Sequence, residues 1–361
     1  MVSDTSQILV DTATRLFEEQ FTARQRVLAE SGQWLDAQWQ AVEDMGLPLA
    51  LVPEEAGGFG LPVVEALDLI RLAGAFAVPL PLAETMLANR ILANAGLELP
   101  GGPLTLAPVR PDDRLTLARR DGGWLLSGTA HRVPWGRVAA TVVLARCEDP
   151  CGDAGQDGQS FVALVPAGQA DTAPDVNLAK EPRDSLRFET LLPAESVAPA
   201  PGIAPAELHA LGAAVRSIAM AGALGRVLAM TTAYANERSQ FGRPIGKFQA
   251  IQQHLAVLAG QAAAARAAGD IAAEAVAQGG SPLPIAAAKL RCGEAAGIAA
   301  AIAHQVHGAM GFTHEHSLHF FTKRLWSWRD EFGGEGEWGR LIGREVARAG
   351  ADGLWPLVTA A

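Results

Sequence analysis

The stretch Tyr234-Ala-Asn-Glu-Arg-Ser-Gln-Phe-Gly-Arg-Pro-Ile-Gly-Lys-Phe-Gln-Ala-Ile-Gln252 decides how the rest of the chain is read. Before it, Pro205–Arg238 has no internal proline and is apolar on almost every face, the pattern of a buried helix. That helix gives way to a charged turn with glycines, and Pro244 is placed to open the next one. Arg238 and Arg243, with free backbone N–H groups, can grip a phosphate or pyrophosphate. The same residues also fit a plain helix–turn–helix corner with surface arginines, since no known phosphate loop is matched.

Working outward, Ile251–Ala277 and Ile285–Val306 read as Ala-rich helices separated by Gly279-Gly-Ser-Pro. The second ends in Gln305-Val-His-Gly-Ala-Met-Gly311, where Gly308 stops the helix and Gly311 permits another turn. Gln305 carries both donor and acceptor groups, which suits it to a polar ligand edge or to an ordinary helix end. Toward the N-terminus the pattern changes. Leu115-Thr-Leu-Ala-Arg, Trp124-Leu-Leu-Ser, Ala140-Thr-Val-Val-Leu-Ala and Phe161-Val-Ala-Leu-Val-Pro are short strand-type runs, and Asp121-Gly-Gly-Trp reads as a hairpin turn. No long helix separates them, so a small barrel or sandwich is expected rather than an α/β unit. Residues 149–159, rich in Gly and Asp, read as a mobile loop. The first hundred residues are helical by spacing, with a Pro/Gly interruption at Val52-Pro-Glu-Glu-Ala-Gly-Gly-Phe-Gly60.

The expected fold is therefore α+β and multidomain. It comprises an N-terminal helical domain at 1–103, a middle β-barrel or sandwich at 104–200, and a C-terminal domain resembling a four-helix bundle at 201–361. Composition supports this: of 361 residues 49% are apolar and 19% charged, enough for sizeable cores. A net charge of −10 argues against a nucleic-acid surface. The N-terminus lacks a signal-peptide pattern and no apolar run is long enough to span a bilayer, so a cytoplasmic protein without a membrane span is expected. Three cysteines, Cys147, Cys151 and Cys292, are too few for a disulfide framework. Cys147 and Cys151 can pair, but reduced thiols are the expectation.

Arg238-x-Gln-Phe-Gly-x-Pro-Ile-x-x-Phe-Gln249 and Gln305-x-x-Gly-x-x-Gly311 together resemble the FAD-dependent acyl-CoA dehydrogenases. Val52-Pro-Glu-Glu-x-Gly-Gly-x-Gly60 is similar to that family's N-terminal loop. The resemblance implies FAD as cofactor, with Arg238, Gln240, Phe241 and Gly242 at its pyrophosphate side and Gln249 nearby. It places Gln305, Gly308, Ala309 and Gly311 along the ADP half. It also implies an acyl-CoA substrate oxidised to the 2-enoyl-CoA, an electron-transfer flavoprotein as electron acceptor, and a homo- or hetero-oligomer, dimer or tetramer, with a homologous chain.

The α-proton of a thioester must be taken by a carboxylate base. Here the resemblance weakens. The family's base aligns without gaps to Phe332 in Trp326-Ser-Trp-Arg-Asp-Glu-Phe-Gly-Gly-Glu-Gly-Glu-Trp338. Glu331, one residue away, is the candidate base, and a solvated acidic loop beside Arg324 and Arg329 is the competing reading. A second family branch carries its base on the preceding long helix, where this chain has Gly212; the CoA-contacting pair there falls on Ala210 and Ala213, with Arg216 one turn on. The middle domain lacks the Thr-Glu-x-x-x-Gly-Ser-Asp segment, and Arg132-Val-Pro134 followed by Trp135 replaces the later Trp-containing segment. The chain thus also resembles the divergent subunit of bacterial heteromeric acyl-CoA dehydrogenases, which implies a catalytically silent partner that completes or stabilises a homologous chain's FAD site. His304, His307, His314, His316 and His319 crowd one region, but match no metal-ligand spacing, so no metal is expected.

Overall fold

The computed structural model describes residues 4–147, 160–200, 202–313 and 315–359. The loop expected at 149–159, Cys151 and His314 lie outside the described residues. Helices come first: α1 (Asp4–Gln20), α2 (Ala23–Glu30), α3 (Asp36–Asp44), α4 (Val63–Ala75) and α5 (Leu82–Asn94). Strands follow as β1 (Leu104–Ala107), β2 (Arg114–Arg120), β3 (Gly123–Pro134), β4 (Ala140–Cys147), β5 (Ser160–Val165), β6 (Asp171–Ala173), β7 (Arg183–Pro193) and β8 (Val197–Pro199). The chain then returns to helix with α6 (Pro205–Glu237), α7 (Gln249–Ala277), α8 (Pro282–His307), α9 (Leu318–Asp330) and α10 (Glu335–Thr359). An N-terminal helical domain, a middle β-sheet domain and a C-terminal helical domain are thus present in the expected order.

By compactness the chain groups into two units: Met1–Thr12, Arg24–Ala66 and Pro79–His209 form one, and Ala13–Ala23, Leu67–Val78 and Ala210–Ala361 the other. The first unit is organised by one eight-stranded sheet in the order β6-β7-β3-β2-β4-β5-β8, with β1 added parallel to β4. The β2–β3 hairpin turns at Asp121-Gly122, where Gly122 has φ +84. Between Ala130 and Val133 the β3–β7 register shifts, and Arg132 at φ +57 sits in that bulge. Cys147 is disulfide-bonded, which corrects the expectation of three reduced thiols; Cys292 is a free, buried thiol.

The second unit is held by unusually close helix contacts. A Cβ on Gly74 of α4 would lie 2.1 Å from the Ala219 carbonyl oxygen of α6, and one on Gly222 of α6 would lie 1.9 Å from the Arg71 oxygen. Reciprocal glycines let these two backbones touch, which larger residues would prevent. Alanines serve the same end where α7 meets α8: Ala265, Ala268 and Ala272 on one side, and Ala288, Ala295 and Ala299 on the other, are fully or almost fully buried. The helix α6 is long and apolar enough to cross a membrane by composition, but 72% of that window is buried inside the fold. It is a core helix, as its all-round apolar pattern predicts.

Candidate functional site

Two places in the C-terminal unit carry the residues singled out from the sequence. The first is a cleft of about 460 Å³ between the end of α6, the turn that follows it, and the end of α8. The turn is a two-residue β-hairpin, β9 (Ser239–Gln240) paired with β10 (Arg243–Pro244). Its central residues, Phe241 and Gly242, have φ +51 and +78. Positive φ at both central positions is what a tight hairpin of the primed type demands. Gly242 meets that demand freely. Phe241 is strained there, and its ring is 92% exposed at the cleft.

Arg238, Gln240, Phe241, Gln305, Gly308 and Ala309 all line this cleft. Among the described residues, the side chains of Arg238, Gln240 and Gln305 have no hydrogen-bond or ion-pair partner. Three unpaired polar groups converging on one concavity, with an exposed aromatic ring beside them, form a donor set suited to an anionic, ring-bearing ligand. Gly242, Gln249 and Gly311 do not line it. Gly242 forms the hairpin and Gln249 opens α7. Gly311 is buried, and a Cβ there would meet His304 Nδ1 and His307 Cβ at 3.1 Å. Arg243 is engaged otherwise: its guanidinium lies 4.3 Å from the Phe248 ring centroid.

The wall behind the cleft was not legible as a unit in the sequence. Tyr234 stacks on His307 with ring centroids 4.4 Å apart, and its hydroxyl donates to the His307 carbonyl at 3.3 Å. His316 packs against His307 at 4.6 Å, while His304 stacks on Phe312 at 4.3 Å and on Trp326 at 5.7 Å. Burial pushes the His307 imidazole down to about 4 and lowers His304 and His316 as well. No group of three or more metal-ligating side chains converges among the described residues.

The second place is the turn after α9. Glu331 is buried, and its Oε2 accepts a hydrogen bond from Arg216 Nε at 2.7 Å. Phe332 follows at φ +52 with its ring buried. A Cβ on Gly212 would lie 2.1 Å from Cδ1 of that ring, so the phenyl group fills the space that any side chain at 212 would need. Around it several polar groups of the turn are paired. Trp338 Nε1 donates to the Phe332 carbonyl at 2.9 Å, and Lys289 Nζ donates to the Arg329 and Gly333 carbonyls at 2.6 and 2.7 Å. Arg329 pairs with Glu335 at 2.5 Å. Burial lowers the Lys289 ammonium to about 8, against the opposing pull of Glu335, Glu331 and Asp330.

The family model described as Acyl-CoA dehydrogenase, N-terminal domain, matches residues 3–98, and that of the C-terminal domain matches residues 209–334. The chain belongs to the acyl-CoA dehydrogenase family. It is 32% identical over 287 residues to the acyl-CoA dehydrogenase IpdE2 of Mycobacterium tuberculosis, covering 78% of this chain and 77% of that one. It is 31% identical over 361 residues to the acyl-CoA dehydrogenase FadE27 of the same organism, covering 91% and 92%. The crystal structure of the ChsE4–ChsE5 complex from Mycobacterium tuberculosis matches with a TM-score of 0.85 at 26% identity, covering 97% of this chain and 99% of the other.

Acyl-CoA dehydrogenases are FAD-dependent oxidoreductases, and FAD is this chain's cofactor. The cleft fits a dinucleotide: one guanidinium and two amides stand unpaired in it, and Phe241 presents an open ring face. The base region of this dehydrogenase differs. Gly212 and Phe332, the two positions at which an ungapped count expects a base, lie against one another, and neither is acidic. Sequence reasoning placed Glu331 beside Phe332 but missed its pairing with Arg216. Arg216, one turn beyond the positions expected to contact CoA, is committed to Glu331 instead. The available signal was Arg216 within the apolar first half of α6, since a charge buried there needs a partner.

Proposed function

We propose that this chain takes part in the α,β-dehydrogenation of an acyl-CoA thioester to the 2-enoyl-CoA as one subunit of a heteromeric enzyme. It would build a cofactor cleft, and a homologous chain would supply the catalytic carboxylate. The observation that carries this reading is the Phe332 ring packed onto Gly212. It leaves neither family base position with an acid, while the cleft keeps its unpaired polar groups. FAD, when bound, supplies the acceptor for the hydride from the β-carbon.

In this proposal Arg238 neutralises pyrophosphate charge, Gln240 and Gln305 hydrogen-bond the polar edge of the dinucleotide, and Phe241 packs on it. Gly242 keeps Phe241 at the hairpin tip, and Gln249, Gly308, Ala309 and Gly311 shape the surrounding backbone. An acyl-CoA is the proposed substrate and an electron-transfer flavoprotein the proposed electron acceptor, in the cytoplasm. The likeness to the ChsE4–ChsE5 complex supports assembly with a second, homologous chain.

A second reading makes Glu331 this chain's own base. Its position next to Phe332 favours it, but taking a proton would leave the buried Arg216 charge without its partner. Removing one member of such a pair costs about 3–5 kcal/mol.

The test is to purify the chain alone and after co-expression with a neighbouring homologue, and to record flavin absorbance and its bleaching by an acyl-CoA. Bleaching only in the co-expressed assembly, retained by Glu331→Gln, is the expected result. Bleaching by the chain alone that Glu331→Gln abolishes would replace it with the second reading.

A further inference from the structure

The imidazoles at the end of α8 and in the turn after it take no part in the base region, and their arrangement is unusual; of them, His307 also lines the cleft. His304, His307 and His316 form a ring-stacked layer with Tyr234, Phe312 and Trp326. His307 is 3% exposed; its Nδ1 donates to the Ala303 carbonyl at 2.8 Å, and its Nε2 is buried without a partner. His304 meets Thr322 Oγ1 through Nε2 at 2.9 Å, and its Nδ1 is likewise buried and unpartnered. None of the three imidazoles has an ion pair with a carboxylate among the described residues. A native structure rarely leaves buried polar atoms unsatisfied without a functional reason.

This layer supports one wall of the cleft directly. His307 precedes the single-turn segment Gly308–Phe312, whose Gly308, Ala309 and Met310 face the cleft, and its carbonyl receives the Tyr234 hydroxyl from the opposite wall. Tyr234 itself lines the cleft together with the His307 it stacks on. Charging the layer would set His307 against His316 at 4.6 Å with no anion between them.

On the reading that the cleft takes FAD, we propose that the His304–His307–His316 layer is an acid-sensitive latch. Uncharged, it holds the Gly308–Phe312 turn against Tyr234; protonated, it frees that turn and opens the cofactor cleft. Burial holds all three imidazoles below their ordinary range, so the closed cleft excludes the proton and acidification favours the open one. The other charged or titratable groups on the surrounding elements are Tyr234, Glu237 and Arg238 of the α6 end, Glu315 beside His316, and His319, Lys323, Arg324, Arg329 and Asp330 of α9. Of these, His319 adds further repulsion toward His304.

The assembly from co-expression, stripped of flavin, is titrated with FAD by flavin fluorescence at about pH 7.5 and about pH 5, either side of the ordinary histidine range. The Kd is expected to weaken by roughly tenfold or more at the lower pH, the linkage expected when one imidazole must stay neutral in the bound form. The double variant His307→Gln, His316→Gln is read by the same ratio, so an overall loss of affinity does not matter. Its ratio is expected to fall below about threefold. A wild-type ratio near one, or a variant that keeps the wild-type ratio, overturns the latch while leaving the FAD reading intact. Absence of saturable FAD binding at the higher pH overturns the FAD reading and the latch with it. Should the variant not fold, hydrogen exchange on the wild type, corrected for intrinsic pH dependence, decides. Residues 308–312 are expected to lose protection at the lower pH ahead of the rest of α8, and uniform protection overturns the proposal.

Discussion

The cleft at the end of α6 and the turn after α9 lie in one helical unit and came from equally suggestive sequence, yet they differ in how their polar groups are spent. In the cleft, Arg238, Gln240 and Gln305 point at open space with nothing to bind among the described residues. In the turn, Glu331, Lys289, Trp338 and the carbonyls of Arg329, Phe332 and Gly333 are all mutually satisfied, and an aromatic ring closes the remaining space. Unpaired polar groups around a cavity have interaction energy left to give a ligand. A turn whose donors and acceptors already satisfy one another has little left to offer. The difference separates a binding surface from a piece of architecture, and sequence motifs do not separate them.

The strongest way to break this comparison is Glu331→Gln. If the Arg216 pair is architecture, the variant loses about 3–5 kcal/mol of unfolding free energy in a denaturant titration. The flavin spectrum and turnover of surviving folded assembly stay unchanged. Unchanged stability together with lost turnover would put Glu331 among the reacting groups and dissolve the contrast.

Arg238→Ala tests the other side. Loss of a charge-assisted contact of about 1.5–3 kcal/mol predicts FAD binding weaker by roughly ten- to a hundredfold, read by fluorescence titration. Gly212→Val is expected to destabilise by about 1–3 kcal/mol through overpacking against Phe332. Combining it with Phe332→Ala should recover most of the lost melting temperature, and no recovery would mean the two do not share that space. The smallest effect is expected for Arg243→Ala. Its stacking on Phe248 contributes about 0.5–1 kcal/mol, so FAD affinity should change by no more than a few-fold, and a loss as large as that of Arg238→Ala would merge the roles of the two arginines.

Much of the fold was legible beforehand. The all-round apolar pattern of 205–238 marked a core helix, and Asp121-Gly-Gly-Trp marked the β2–β3 hairpin. The alternation of helical, strand and helical segments followed from periodicity, which depends only on neighbours along the chain. The Phe241-Gly242 hairpin was legible as a turn, although its primed geometry was not. Other features escaped because they depend on residues far apart in sequence. Gly74 and Gly222 look like two weak helix positions until α4 and α6 cross. Lys289 looks like a surface lysine until its two carbonyl partners, some forty residues later, are in place.

By itself, then, the sequence determined the order of helices and strands, the hairpin–cleft motif and the family. Each is written in local spacing and in short runs of residues. Only the tertiary structure decided what became of the base region. Gly212 and Phe332 lie 120 positions apart, and neither records that a phenyl ring occupies the space above the glycine, or that Arg216 holds the Glu331 carboxylate. Steric exclusion and ion pairing act across space, so they enter only when the helices have packed.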